Sequence, residues 1–232
     1  LLVALPVLTG CAAISPTPQS DALARSAPSG LPERIELDAV PFFPQTRYHC
    51  GPAALATLLV HAGYAQATPE GLAGQVFLPA REGALQVEML AAARRAGALP
   101  VLLPGELATL LAEVAAGQPL VVLQNLGLSI APRWHYAVLV GYDRAAREVL
   151  LRSGATRRET MAFTLFERTW ARGGHWAMAA LRPGSLPVTA READAVDAAV
   201  GFERAVSSPA QRLRVFESVV ARWPDNLPAL IG

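Results

Sequence analysis

Two rhythms succeed one another along this chain, and their order constrains the fold more than any single residue does. Helical spacing of apolar residues prevails up to about residue 116, and short strand-like runs take over from residue 120. Residues 50–61 (CGPAALATLLVH) predict a buried helix that tolerates Pro52 in its first turn and ends at Gly63. A second short helix is expected after Thr68-Pro69-Glu70, a capping residue followed by proline. A third spans 85–96, with Leu85, Met89, Leu90 and Ala93 on one face, and a fourth spans 106–116. Strands are expected at 120–124, 135–142, 148–153 and 175–181, with a short helix near 163–170. The polar stretch 143–147 predicts a hairpin between the second and third of these strands. Helices first and antiparallel strands afterwards is α+β organisation.

Of the 232 residues, 52% are hydrophobic and 17% charged, which fits a packed core and not a disordered chain. A net charge of +1 gives no electrostatic grip on nucleic acid. The cysteines and histidines lack metal-ligand spacing, and no glycine loop suits a phosphate, so neither metal nor cofactor is expected.

The beginning of the chain reads as an export signal. Residues 1–10 (LLVALPVLTG) are apolar but too short to cross a bilayer, which takes ~20 residues. They fit the apolar part of a secretory signal whose basic head would precede Leu1. Leu8-Thr9-Gly10-Cys11 resembles the bacterial lipobox, which implies that Cys11 is acylated and anchors the chain to membrane. Residue 12 is alanine where aspartate would retain a lipoprotein in the inner membrane; the resemblance thus implies the outer membrane of a bacterial envelope, facing the periplasm. Residues 15–31, rich in Pro, Ser, Ala and Gly, are expected to form a flexible tether. The other reading of the run is a buried strand with a chance cysteine.

Cys50 is the second cysteine, and a bridge to Cys11 explains neither as well as separate roles do. A helix start supplies partial positive charge and free amides, the setting that favours a thiolate. A histidine from elsewhere would complete a thiolate–imidazolium pair and protonate the leaving group. His49 adjoins Cys50, but neighbouring side chains diverge. His61 is roughly 16 Å along the same helix, and His175 reads as an ordinary sheet residue. His135 opens a strong strand and is the candidate base. Taken singly, each of Cys50 and His135 could be a core residue.

Residues 45–54 (QTRYHCGPAA) and 135–143 (HYAVLVGYD) resemble the bacteriocin-processing, double-glycine type of cysteine peptidase, in the papain-like superfamily. The resemblance covers roughly residues 41–181. It implies a papain-like fold, Cys50 as nucleophile, His135 as base, an acyl-enzyme, and a peptide or protein substrate. It also implies a glutamine that donates to the oxyanion; Gln45 matches in type but lies one residue closer to the cysteine than usual.

The family's third member, an aspartate, has no counterpart in 150–154 (LLRSG). Asp143 lies eight residues beyond His135 on one strand, roughly 26 Å away at ~3.3 Å per residue. The hairpin instead sets His135 opposite residues near Ala155 and puts Ser153 on its face. Ser153 could fix the imidazole tautomer without stabilising its charge. Asn125 is a second candidate.

Beyond the linker-like residues 182–187, helices are expected at 194–206 and 209–222. Phe216, then Pro224 with Asp225-Asn226, resembles the end of a tetratricopeptide unit, although Arg212 stands where a small residue is usual. Residues 228–232 look like the opening of another unit, so further repeats and a protein partner are expected. The alternative is a plain helical hairpin packed on the body. The chain thus divides into a signal and tether (1–31), a papain-like domain (32–183) and an all-α tetratricopeptide-like segment (188–232). Besides a peptidase, the same fold could serve as a non-catalytic peptide-binding module or as an acyl transferase using the same pair.

Overall fold

The computed structural model describes residues 16–26, 28–44, 49–78 and 83–231. Cys11 with its lipobox and Gln45 lie outside these residues. In chain order the elements are α1 (Pro18–Arg25), β1 (Arg34–Glu36), α2 (Cys50–His61), α3 (Pro69–Val76), β2 (Phe77–Leu78), β3 (Gly83–Ala84), α4 (Gln86–Arg95), β4 (Leu99–Leu102) and α5 (Leu107–Ala115). Then follow β5 (Leu120–Asn125), β6 (Trp134–Asp143), β7 (Glu148–Ser153), β8 (Thr156–Ala162), α6 (Phe163–Ala171), β9 (Ala177–Leu181), α7 (Glu192–Glu203), α8 (Pro209–Arg222) and α9 (Leu227–Ile231).

The large sheet is antiparallel throughout, in the order β4-β9-β5-β6-β7-β8, with β1 beside the far half of β6. Both faces are covered. On one, α2, α3 and α4 bury Leu55, Leu58, Leu72 and Met89 against Tyr136, Val138 and Val140. On the other, α5, α6, α7 and α8 bury Leu110, Phe166, Trp170, Phe202 and Phe216 against Ala137, Leu139 and Leu151. Strand alternation therefore sends the odd positions at the start of β6, His135 among them, to the α6 face. A bulge between Leu139 and Gly141 reverses that parity, so Tyr142 joins the α6-side core.

Several elements depart from the sequence expectation. The strands β1 to β4 and β8 were not foreseen: β1 to β4 are two to four residues long, and β8 (TRRETMA) is a charged edge strand without apolar alternation. The expected tether at residues 15–31 is a correction, since it contains α1, whose hold is polar. The Glu167 carboxylate accepts from the amides of Gln19 (2.9 Å) and Ser20 (2.7 Å) and from the Ser20 hydroxyl (2.6 Å). Gln19 in turn accepts from the Leu107 amide at the start of α5 and donates to the Gly105 carbonyl. Bonds of this kind leave no mark on hydrophobic periodicity.

The tail shares the body's core. Ala195, Ala199 and Phe202 of α7 and Val215, Phe216 and Val219 of α8 belong to the same cluster as Leu99, Val101 and Leu181. The buried Glu113 of α5 accepts from the amide and hydroxyl of Thr189, fastening the start of the tail as well.

Candidate active site

Cys50 is the first residue of α2, with His49 in the cap position. Its sulfur faces three backbone amides: that of Tyr136, that of Gly51 and its own. Only glycine fits at 51, because a Cβ there would lie 2.6 Å from the Ala84 Cβ. The Tyr136 amide nitrogen is bonded directly to the His135 carbonyl carbon, so the thiol stands beside the residue that carries the imidazole. The helix start and the opening of β6 meet at this point.

His135 Nε2 lies 2.9 Å from the Ser153 hydroxyl. That leaves Nδ1 as the other ring nitrogen available to a partner. Ser153 itself is buried. The bond spans β6 and β7 on the α6 face, where the hairpin register puts both residues.

Burial dominates the electrostatics of both groups. It pushes the Cys50 thiol above its ordinary value, although the amides of Tyr136, Gly51 and Cys50 pull the other way. Burial likewise holds His135 below the usual imidazole range; Glu159 opposes that shift and Arg133 adds to it. The sequence argument expected the helix start to lower the thiol value; desolvation outweighs the amides. Tyr136 closes the site from the α2 side, with its hydroxyl donating to the Ala84 carbonyl (3.2 Å) and its ring edge-on to Trp176 at 5.7 Å. Burial and the nearby Cys50 raise its phenol above the ordinary range.

The other candidates are placed elsewhere. The Asn125 side chain accepts from the amides of Gly127 and Arg133, both at 2.9 Å, and so closes the loop ahead of β6. Asp143 ends β6, accepts from the Ala146 amide at 2.8 Å and pairs with Arg34 at 3.9 Å, a turn function remote from His135. His61 closes the last turn of α2, and the His175 ring lies 4.8 Å edge-on to Trp170. The sequence argument overlooked Glu159, because β8 carries no strand pattern to place it. Among the described residues no cluster of three His, Cys, Asp or Glu could hold a metal ion, and no helix is long and apolar enough to cross a membrane.

Residues 37–178, more than half of the chain, match the Peptidase_C39 like family. A crystal structure described as a C39-like peptidase from Bacillus anthracis is 21% identical, with a TM-score of 0.54, over 65% of this chain and 98% of that one. The peptidase domain of Streptococcus ComA, a bifunctional ABC transporter in a quorum sensing pathway, is 17% identical with a TM-score of 0.49, over 62% of this chain and 98% of that one. No curated protein matches. The likeness to the Bacillus anthracis structure is one of fold.

Proposed function

Because the chain belongs to the Peptidase_C39 like family, we propose that it is a cysteine peptidase with Cys50 as nucleophile and His135 as base. The observation that carries this reading is the convergence of the Cys50 sulfur on the Tyr136 amide, beside a His135 whose Nε2 is engaged by Ser153. With Nε2–H donated to Ser153, Nδ1 is unprotonated and can take the thiol proton. The sulfur then attacks the scissile carbonyl, and the Cys50 amide at the helix start is a donor for the developing oxyanion. Gln45 is the second donor in this proposal. His135 returns the proton to the leaving amine, and a water activated by the same ring hydrolyses the thioester. The substrate in this proposal is a peptide or a protein segment, in keeping with the peptidase family the chain matches.

A second reading, a non-catalytic peptide-binding module, is favoured by the raised thiol and by the absence of charge at Ser153. The chain's beginning supports a further proposal, that Cys11 is acylated and holds the protein on the outer membrane with its site toward the periplasm. The tail is proposed as a tetratricopeptide-like surface for a protein partner.

One set of expressed proteins tests these readings: wild type, Cys50→Ala, His135→Ala and Cys11→Ser, each presented with a peptide library and with labelled fatty acid. Cleavage by wild type and Cys11→Ser alone, with a mass-detected acyl adduct on Cys50, is the expected result. No cleavage by wild type would leave the binding module standing. Fatty-acid label on Cys11→Ser would sink the anchor.

A further inference from the structure

Ser153 stands beside His135 and brings no charge, yet an imidazole that must become an imidazolium needs a negative partner. The fold supplies a carboxylate from a third strand. On β7, Val149 and Leu151 face the α6 side, and Ser153 continues that row. On β8, Met161 is paired with Val149 and Glu159 with Leu151, so both share that face. Gln124 Nε2 lies 3.5 Å from the Met161 sulfur, and Gln124 is paired with His135 across β5 and β6. One continuous face therefore carries Gln124, His135, Ser153, Glu159 and Met161. Glu159, opposite Leu151, is the diagonal neighbour of Ser153, and Ser153 stands in the same diagonal relation to His135. Diagonal neighbours on one face lie ~7–8 Å apart, within reach of long side chains.

We propose that Glu159 is the positioning residue of the pair, its carboxylate supplying, across Ser153, the negative charge that readies His135 to accept the thiol proton. Its catalytic consequence rests on the peptidase reading; its electrostatic consequence does not. The groups that face His135 are Gln124 from β5, Ser153 from β7, Glu159 from β8 and Arg133 from the loop before β6, while Cys50 of α2 adjoins the next amide along β6, that of Tyr136. Among them Glu159 favours the protonated ring, while burial and Arg133 disfavour it. A half-buried carboxylate at this distance is less screened than a surface pair and weaker than a direct hydrogen bond.

The test is the titration of the His135 ring by NMR, with kcat and KM measured beside it on a peptide the wild type cleaves. Glu159→Gln should move the midpoint to lower pH, and Arg133→Gln should move it to higher pH. Glu159→Gln should lower kcat by up to about tenfold, the equivalent of one pKa unit, with KM unchanged. Adding Ser153→Asp to Glu159→Gln should restore kcat, since charge is then supplied next to the ring. An unchanged midpoint in Glu159→Gln, or a loss of activity that Ser153→Asp fails to restore, would overturn the proposal and leave Glu159 a structural residue of β8. The titration needs no substrate. If wild type cleaves nothing, the peptidase reading falls by itself and the midpoints still decide the role of Glu159.

Discussion

Cys50 sits under two opposed influences, and their balance sets how the site works at rest. Three amides favour the thiolate, while desolvation favours the thiol and prevails. His135 is biased toward the neutral ring by burial. On the peptidase reading both shifts favour neutral groups at rest, thiol and imidazole, so that charge separation would belong to the proposed reaction. The sign of the pH dependence follows. Alkylation of Cys50 by iodoacetamide tracks thiolate, so its rate should be low at mildly acidic pH and climb at higher pH than for an ordinary exposed thiol. A fast plateau at pH values below ~6.5 would show a preformed ion pair and refute the neutral one.

At the scale of elements, the site depends on where α2 begins and where β6 begins. Gly51 lets the first turn of α2 press against β3 and Tyr136, and the bulge in β6 turns Tyr142 to the α6-side core. α1 is fixed differently, by a buried carboxylate satisfied by three donors. Glu167→Ala removes charged hydrogen bonds, typically ~1.5–3 kcal/mol each, from a helix of only eight residues. Such a helix has little stability of its own. Limited proteolysis should then cut within residues 16–26 while the sheet domain stays intact. If α1 in the variant is as resistant as in wild type, apolar packing and not Glu167 holds it.

On the scale of the molecule, the tail extends the core of the peptidase-like domain. The matched family region ends at residue 178, and α7 and α8 lie beyond it. Yet Phe202 is fully buried in the cluster that contains Leu99 and Leu181. Truncation after Pro187 uncovers that face, and loss of a buried Phe alone costs about 3–5 kcal/mol. The shortened chain should lose its cooperative unfolding transition or precipitate, and the intact chain should melt in one calorimetric step. Two separable transitions would mean that residues 188–232 fold as an independent unit.

Local order was legible in the sequence because it is a property of neighbouring residues. Cys-Gly-Pro ahead of an apolar run announced the start of α2, and the Glu148–Ser153 strand was read to its last residue. Period-two alternation along the hairpin was enough to set Ser153 next to His135, now 2.9 Å apart, and Asp143 at the turn. What the tertiary structure alone decided are the properties that arise between distant segments. The direction of the Cys50 shift came from burial by several elements, against the expectation from its helix position. β8 is stabilised by pairing with β7 and not by its own apolar pattern, so Glu159 could not be placed before the sheet was assembled. α1 is held by Glu167 from about 150 residues away, and the tail by a face of the sheet. Periodicity reports which side of an element is apolar; only the packed chain reports what that side meets.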